Sequence, residues 1–69
     1  MKSISGKSLC KIVESCGRKL KRTTGSHHIY TKNDLNVILS IPVHGNRDLP
    51  TGTLKSIMKD AGLTERDLD

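Results

Sequence analysis

With 69 residues, the chain has the length of one small domain, residues 1–69, and because Tyr30 is its only aromatic residue the core is expected to be aliphatic. Twelve Lys and Arg against seven Asp and Glu give a formal net charge of +5, which favours a polyanionic partner, either nucleic acid or an acidic protein. Met1–Lys7 lacks the apolar run of a signal peptide and no stretch approaches a membrane span, so we expect a cytoplasmic protein with no membrane association.

The first predicted element is a helix that begins after Ser5 and ends at Gly17. Serine suits the N-cap position, and glycine accepts the left-handed conformation that follows many helices. The apolar residues follow the i, i+3, i+4, i+7 spacing of an amphipathic helix: Leu9, Ile12, Val13 and Cys16. This pattern places Cys16 in the core and leaves Cys10 more exposed, on another side of the helix. The two thiols should therefore be unpaired, as is typical of a reducing compartment.

Two strands joined by a turn are predicted next. Arg18–Thr23 alternates basic and apolar residues, which is typical of a half-buried strand with a charged outer face. Thr23–Ser26 turns the chain, and His27–Lys32 returns as the second strand. Alternation along the second strand separates two faces, with His27, Ile29 and Thr31 on one and His28, Tyr30 and Lys32 on the other.

The third strand is the most apolar of the predicted sheet. It follows a polar loop at Lys32–Asn36, and its buried face should consist of Val37, Leu39, Ile41 and Val43. Pro42 cannot donate a hydrogen bond to a neighbouring strand, so this end should lie at an edge or a bulge.

A loop at His44–Pro50 leads into a second helix, which should begin around Thr51–Thr53 and end at Gly62. Thr64–Asp67 is predicted to form a short capped turn. Because both helices carry apolar stripes and the sheet offers one apolar face, they should pack on the same side of a three-stranded antiparallel sheet. The fold class is therefore α+β, in the α-β-β-β-α order of the double-stranded RNA-binding domain.

Three stretches, taken in order, resemble the HicA (YcfA-like) toxin family. They are Gly25–Tyr30 (GSHHIY), Pro42–Asn46 (PVHGN) and the second helix with its end, Gly52–Thr64. The resemblance runs from about Ser5 to Thr64, and the spacings between the stretches also fit. The chain departs from the family pattern at Arg18, where an aromatic residue is common.

The resemblance implies an mRNA interferase, a small ribonuclease that needs neither metal nor cofactor. The family's catalytic histidine follows Gly-Ser, which corresponds here to His27. The implied partner is a HicB-type antitoxin that masks the site. The free toxin is then expected to be a monomer, and the toxin–antitoxin complex a hetero-oligomer.

The residues around His27 suit that chemistry. Histidine can take or give a proton near neutral pH, which cleavage of RNA without metal requires, and cations are needed around the phosphate. Gly25 permits close approach of the backbone, and Ser26 can donate to a phosphate oxygen. The predicted RNA-binding residues are therefore Lys21, Arg22, Gly25, Ser26 and Lys32.

Other readings of the same residues stay open. His28, His44 and Arg47 are each either structural or surface residues or contacts for substrate or partner. The histidine and cysteine spacing does not match a zinc site. A rival function is a non-catalytic module that holds double-stranded RNA by shape and phosphate contacts. A third is a purely protein-binding chain whose histidine-containing edge is covered by another chain.

Overall fold

The computed structural model describes residues 3–32 and 35–68. Its elements are α1 (Gly6–Ser15), β1 (Lys19–Thr24), β2 (His27–Lys32), β3 (Leu35–Pro42), α2 (Thr51–Ala61) and a 3-10 turn (Glu65–Leu68). The strands form one antiparallel sheet in the order β1-β2-β3, so β2 lies in the centre. The predicted α+β fold is confirmed. The loop predicted at Lys32–Asn36 was too long, because Lys32 belongs to β2 and both Leu35 and Asn36 belong to β3. Asn33 and Asp34 lie outside the described residues.

Helix α1 has the predicted serine cap at its start and the predicted glycine after its end. At its start the Ser5 hydroxyl oxygen accepts a hydrogen bond from the Ser8 amide at 3.1 Å. At its end Gly17 has φ 95°, and the amides of Gly17 and Arg18 donate to the carbonyls of Glu14 and Val13. This pair of bonds satisfies carbonyls that the helix leaves without partners.

The buried side of α1 differs from the predicted one. It consists of Gly6, Leu9, Cys10 and Val13, and Ile12 is partly buried. Cys10 is buried and Cys16 is exposed, so the prediction that Cys16 fills the core was wrong. The helix ends at Ser15, so Cys16 is its C-cap and lies beyond the last full turn. Both thiols are unpaired, as expected.

The close contact at the start of α1 explains this rotation. A Cβ added to Gly6 would lie 3.0 Å from the Pro42 carbonyl carbon and still closer to its oxygen. Only glycine lets the first turn of the helix approach the backbone of β3 so closely. The residues that follow Gly6 on the same side, one and two turns later, are therefore the ones turned toward the sheet.

Both helices pack on one face of the sheet, here called the inner face. Its buried strand residues are Tyr30, Leu39 and Ile41, and in the register Tyr30 lies opposite Leu39. The helices contribute the other side of the core, mainly Leu9, Val13, Leu54, Ile57 and Met58. The prediction of a buried face on β3 is confirmed at Leu39 and Ile41, and Val43 packs against the same core.

Two predictions about the core need correction. Tyr30 is 1% exposed and is the largest fully buried side chain, so the core is not purely aliphatic. Its hydroxyl donates to the carboxylate of Glu14, which satisfies the polar end of the ring. Strand β1 is not half-buried, because all six of its residues are exposed and Leu20 is 47% exposed. The helices pack mainly against β3, at the opposite edge of the sheet from β1.

The C-terminal end forms the capped turn that the sequence predicts. Helix α2 ends at Gly62, which has φ 70° in the left-handed region. The Thr64 amide donates to the Asp67 carboxylate at 2.8 Å, which caps the 3-10 turn. This turn places Leu68 in the core, where it is 5% exposed.

Candidate active site

The turn between β1 and β2 consists of Gly25 and Ser26. Gly25 has φ 56°, and a positive φ at this position is what two-residue hairpin turns require. A Cβ added to Gly25 would meet nothing within 4 Å, so the backbone there is open to a ligand. The turn is shorter than predicted, because Thr23 and Thr24 belong to β1.

His27 is the first residue of β2 and is held from both sides. It lies opposite Thr24 of β1 and opposite Pro42 of β3. The amide of Val43 donates to the Ser26 carbonyl at 2.7 Å and ties the turn to the end of β3. The His27 side chain is exposed on the sheet face away from the helices, here called the outer face. The backbone that carries the imidazole is thus well positioned while the side chain faces solvent.

The His28 side chain points to the face of the sheet opposite that of His27, as alternation along a strand requires. It lies opposite the buried Ile41 and is half-buried itself, on the inner face. The prediction that the two adjacent histidines cannot both face one phosphate is therefore consistent with their placement. His28 does not join His27 in one site.

A bulge in β1 sets the direction of its basic side chains. Leu20 pairs with Tyr30 and Arg22 pairs with Ile29, so Lys21 is left as an extra residue between them. Strict alternation would put Arg22 on the same face as Leu20, the inner face. The bulge instead places Arg22 opposite Ile29 on the outer face, the face that carries His27.

The outer face carries one more cation, Lys19, which was not among the predicted RNA-binding residues. Lys19 pairs with Thr31, two positions along β2 from Ile29, and is exposed. Alternation along β1 separates Lys19 from Leu20, which the sequence shows, but only the register places Lys19 on the face of His27. The side chain of Lys32 lies outside the described residues, so its predicted RNA contact stays a prediction.

The loop after β3 forms a pocket of about 270 Å³ at the end of the sheet where β2 begins with His27. We call it the loop pocket, and it is lined by Pro42, His44, Arg47, Asp48, Leu49, Pro50 and Thr53. A backbone hydrogen bond from the Arg47 amide to the His44 carbonyl, at 3.2 Å, closes the turn that holds both residues. Since Pro42 is the cross-strand neighbour of His27, the pocket lies at the end of the sheet that carries the imidazole. Leu49 of the core and Thr53 of α2 form its wall on the helix side.

A larger groove of about 480 Å³ lies between β3 and α2, lined by residues that include Ile38, Ser40, Thr53, Ser56 and Asp60. Ile38 is 56% exposed there. The described residues that line this groove include no Lys, Arg or His. It therefore lacks the cations that a phosphate backbone needs.

The two side chains whose pKa values are shifted, Tyr30 and Cys10, both lie in the core. Burial raises the pKa of Tyr30, and its hydrogen bond to Glu14 adds to the effect. Burial also raises the pKa of the Cys10 thiol, which contacts Tyr30. Within residues 3–32 and 35–68, no three His, Cys, Asp or Glu side chains are grouped closely enough to hold a metal ion.

A family model described as HicA toxin of bacterial toxin-antitoxin matches residues 6–63, which is most of the chain. The chain belongs to the HicA toxin family. The match runs from the start of α1 to just past α2, so it includes the hairpin turn, His27 and the loop pocket. No curated protein sequence matches the chain at a significant level.

Membership of the HicA family makes this protein a toxin with an antitoxin partner. In this HicA toxin the structure brings His27, Arg22 and Lys19 to one face of the sheet, next to the open turn. The loop pocket lies at the same end of the sheet as His27. His28 lies apart from that group, on the inner face. Among the described residues, no helix has the length and apolar composition needed to cross a membrane.

Proposed function

We propose that this HicA toxin is a metal-independent endoribonuclease that cleaves messenger RNA in the cytoplasm, with His27 as its acid–base group. The observation that carries the proposal is the placement of His27. Its imidazole is exposed on the outer face, and its backbone is paired on both sides, with Thr24 and Pro42. A catalytic group must be both accessible to substrate and held in position by rigid elements, and this histidine meets both conditions.

The reaction is a transesterification within the RNA chain. The ribose 2′-oxygen attacks phosphorus, so a phosphorus–O2′ bond forms and the phosphorus–O5′ bond breaks. The 2′-hydroxyl loses its proton and the leaving O5′ gains one, which leaves a cyclic phosphate and a free 5′-hydroxyl. The His27 imidazole takes the first proton or supplies the second, a contribution of typically about 10²–10⁴ in rate.

The surrounding residues position the phosphate and offset its charge. Arg22 lies on the outer face, two pairs along the hairpin from His27, and its guanidinium can bind a phosphate oxygen through two donors. Lys21 at the bulge and Lys19 extend the cationic surface along β1. Gly25 leaves room for the RNA backbone beside the turn, since nothing lies within 4 Å of a Cβ placed there.

The test compares His27→Ala with the parent on purified RNA. We expect His27→Ala to fold normally, because the side chain is exposed, and to lose cleavage by a factor of about 100 or more. His28→Ala is the matched control: it removes a histidine at the next position, on the inner face, and should keep cleavage if its circular dichroism matches the parent. Replacing the 2′-hydroxyl at the cleavage site by hydrogen should abolish the reaction. Parent-level cleavage by folded His27→Ala would rule out the assignment.

The basic outer face also supports the rival function, binding of double-stranded RNA without cleavage. Binding of that kind rests on many phosphate contacts and falls steeply with salt, while no single histidine dominates it. A parent protein that binds duplex RNA, leaves it intact, and binds equally well after His27→Ala would favour the rival.

We infer that the antitoxin is HicB-type and covers the outer face around His27. The net charge of +5 favours an acidic or complementary surface on that partner. Binding to the folded toxin alone stabilises it by mass action, by about 2.7 kcal/mol at an antitoxin concentration 100 times the Kd. Saturating antitoxin should therefore raise the melting temperature and suppress cleavage together, and an unchanged melting temperature would contradict the inference.

A further inference from the structure

We propose that the loop pocket is a nucleotide subsite: it binds the nucleotide adjacent to the bond that His27 cleaves, through its base and its phosphate. The inference rests on the proposed ribonuclease function and deepens it. It assigns to the loop after β3 a role in choosing where the RNA is cut.

The pocket lies at the end of the sheet that carries His27. Pro42, which lines it, lies directly opposite His27 in the antiparallel pair. Residues paired in this way have Cβ atoms about 5 Å apart on the same face of the sheet. The hydrogen bond from Val43 to Ser26 holds the end of β3 against the hairpin turn. Because β3 is an edge strand, a nucleotide next to a phosphate at the imidazole can reach the pocket around that edge.

The lining of the pocket combines a cation, an imidazole and apolar surface. Arg47 supplies a guanidinium, which binds phosphate oxygens through two parallel donors. Leu49, Pro42 and Pro50 supply apolar surface against which the flat face of a base can pack. His44 adds an imidazole that can donate to, accept from or stack on a base.

The Asp48 carboxylate in the same wall favours a ligand that has a hydrogen-bond donor as well as a phosphate. Asp48 lines the pocket beside Arg47. Its carboxylate would repel an inorganic phosphate, which has no group that can donate to it. It accepts hydrogen bonds from donors such as the exocyclic amino group of cytosine. A nucleotide whose base carries an amino group can bind both residues: its phosphate binds Arg47, and its amino group donates to Asp48. Uracil lacks that amino group and should bind less well.

The experiment measures binding separately from cleavage. The probe is a short RNA in which the attacking 2′-hydroxyl is replaced by hydrogen, so that it binds without being cut. Its affinity is measured by fluorescence anisotropy for the parent, for Arg47→Ala and for Arg66→Ala. Arg66 is an exposed arginine of the 3-10 turn, outside the proposed site, and its loss makes the same change in net charge.

We expect Arg47→Ala to weaken binding about tenfold or more, as loss of a charge-assisted hydrogen bond does, and Arg66→Ala to match the parent. Amide NMR shifts on adding the probe should include His44 and Arg47 as well as the hairpin turn. In probes that differ at the adjacent nucleotide, cytosine should bind several-fold more tightly than uracil, and Asp48→Asn should reduce that preference.

The outcomes separate this inference from the proposed function. If the parent cleaves RNA and Arg47→Ala binds and cleaves as well as Arg66→Ala, the subsite is refuted and the ribonuclease stands. Shifts confined to the hairpin and β1 would refute it in the same way. If the folded parent neither binds the probe nor cleaves RNA, the proposed function itself fails and the subsite fails with it.

Discussion

Replacing Arg18 by methionine should make the protein more stable. Arg18 follows Gly17, carries the chain from α1 into β1, and is 6% exposed. One guanidinium nitrogen, Nη1, is buried and has no hydrogen-bond partner among the described residues. A buried polar group without a partner costs about 1–3 kcal/mol, and more when it belongs to a charged group. Methionine removes these donors and keeps an unbranched stem of similar length, so little cavity remains.

The expected gain in the free energy of unfolding is about 1–2 kcal/mol, after allowance for imperfect packing of the new side chain. For a domain of this size each kcal/mol shifts the melting temperature by about 4–8 °C. The assay is urea unfolding followed by circular dichroism, in which the midpoint should rise while the m-value stays unchanged. Lys19→Met is the control, because it removes a cation from the neighbouring, exposed position and should change stability by no more than about 0.5 kcal/mol.

The opposite result would refute the reasoning. If Arg18→Met unfolds at a lower urea concentration than the parent while Lys19→Met does not, the buried guanidinium contributes net stability through a partner such as ordered water. The result also bears on the family resemblance, because the position is commonly aromatic there. A stabilised methionine variant would mean that the site suits an apolar side chain and that arginine occupies it at a cost.

Gly6→Ala should lower the free energy of unfolding by about 1–3 kcal/mol, because its Cβ would enter the backbone of β3, even though alanine is the better helix former. Gly52→Ala, in the first turn of α2 with nothing within 4 Å of its Cβ, is the control and should be neutral or stabilising; equal effects would contradict the close contact. Above about pH 10, the unfolded chain releases the Tyr30 proton while the raised pKa keeps it on the folded chain. The stability present below that pH should therefore fall by about 1.4 kcal/mol per pH unit, a slope that Tyr30→Phe removes. As the only aromatic residue, Tyr30 gives the whole tyrosinate absorbance signal, and tyrosinate forming before unfolding would contradict its burial.

Local patterns predicted much of this fold. The caps at Ser5 and Gly17, the hairpin at Gly25 and the buried residues Leu39 and Ile41 all follow from a few neighbouring residues. Capping, turn formation and alternation are short-range effects, so the sequence carries them directly.

The predictions that failed depended on packing between distant segments. Cys10 rather than Cys16 is buried because Gly6 lets the start of α1 approach β3 closely. Tyr30 lies in the core opposite Leu39, where Glu14, 16 residues earlier in the chain, accepts a hydrogen bond from its hydroxyl. Periodicity on one element does not show where another element makes contact with it.

The sequence by itself determined the order of the elements, the resemblance to the HicA family and the choice of His27. Only the tertiary structure decided which groups share a face with that histidine. The bulge at Lys21 moves Arg22 to the outer face, and the pairing of His27 with Pro42 brings the loop pocket to the end of the sheet that carries the imidazole. The physical reason is that a shift of one residue in strand register sends a side chain to the opposite face, and register is set between strands rather than within one.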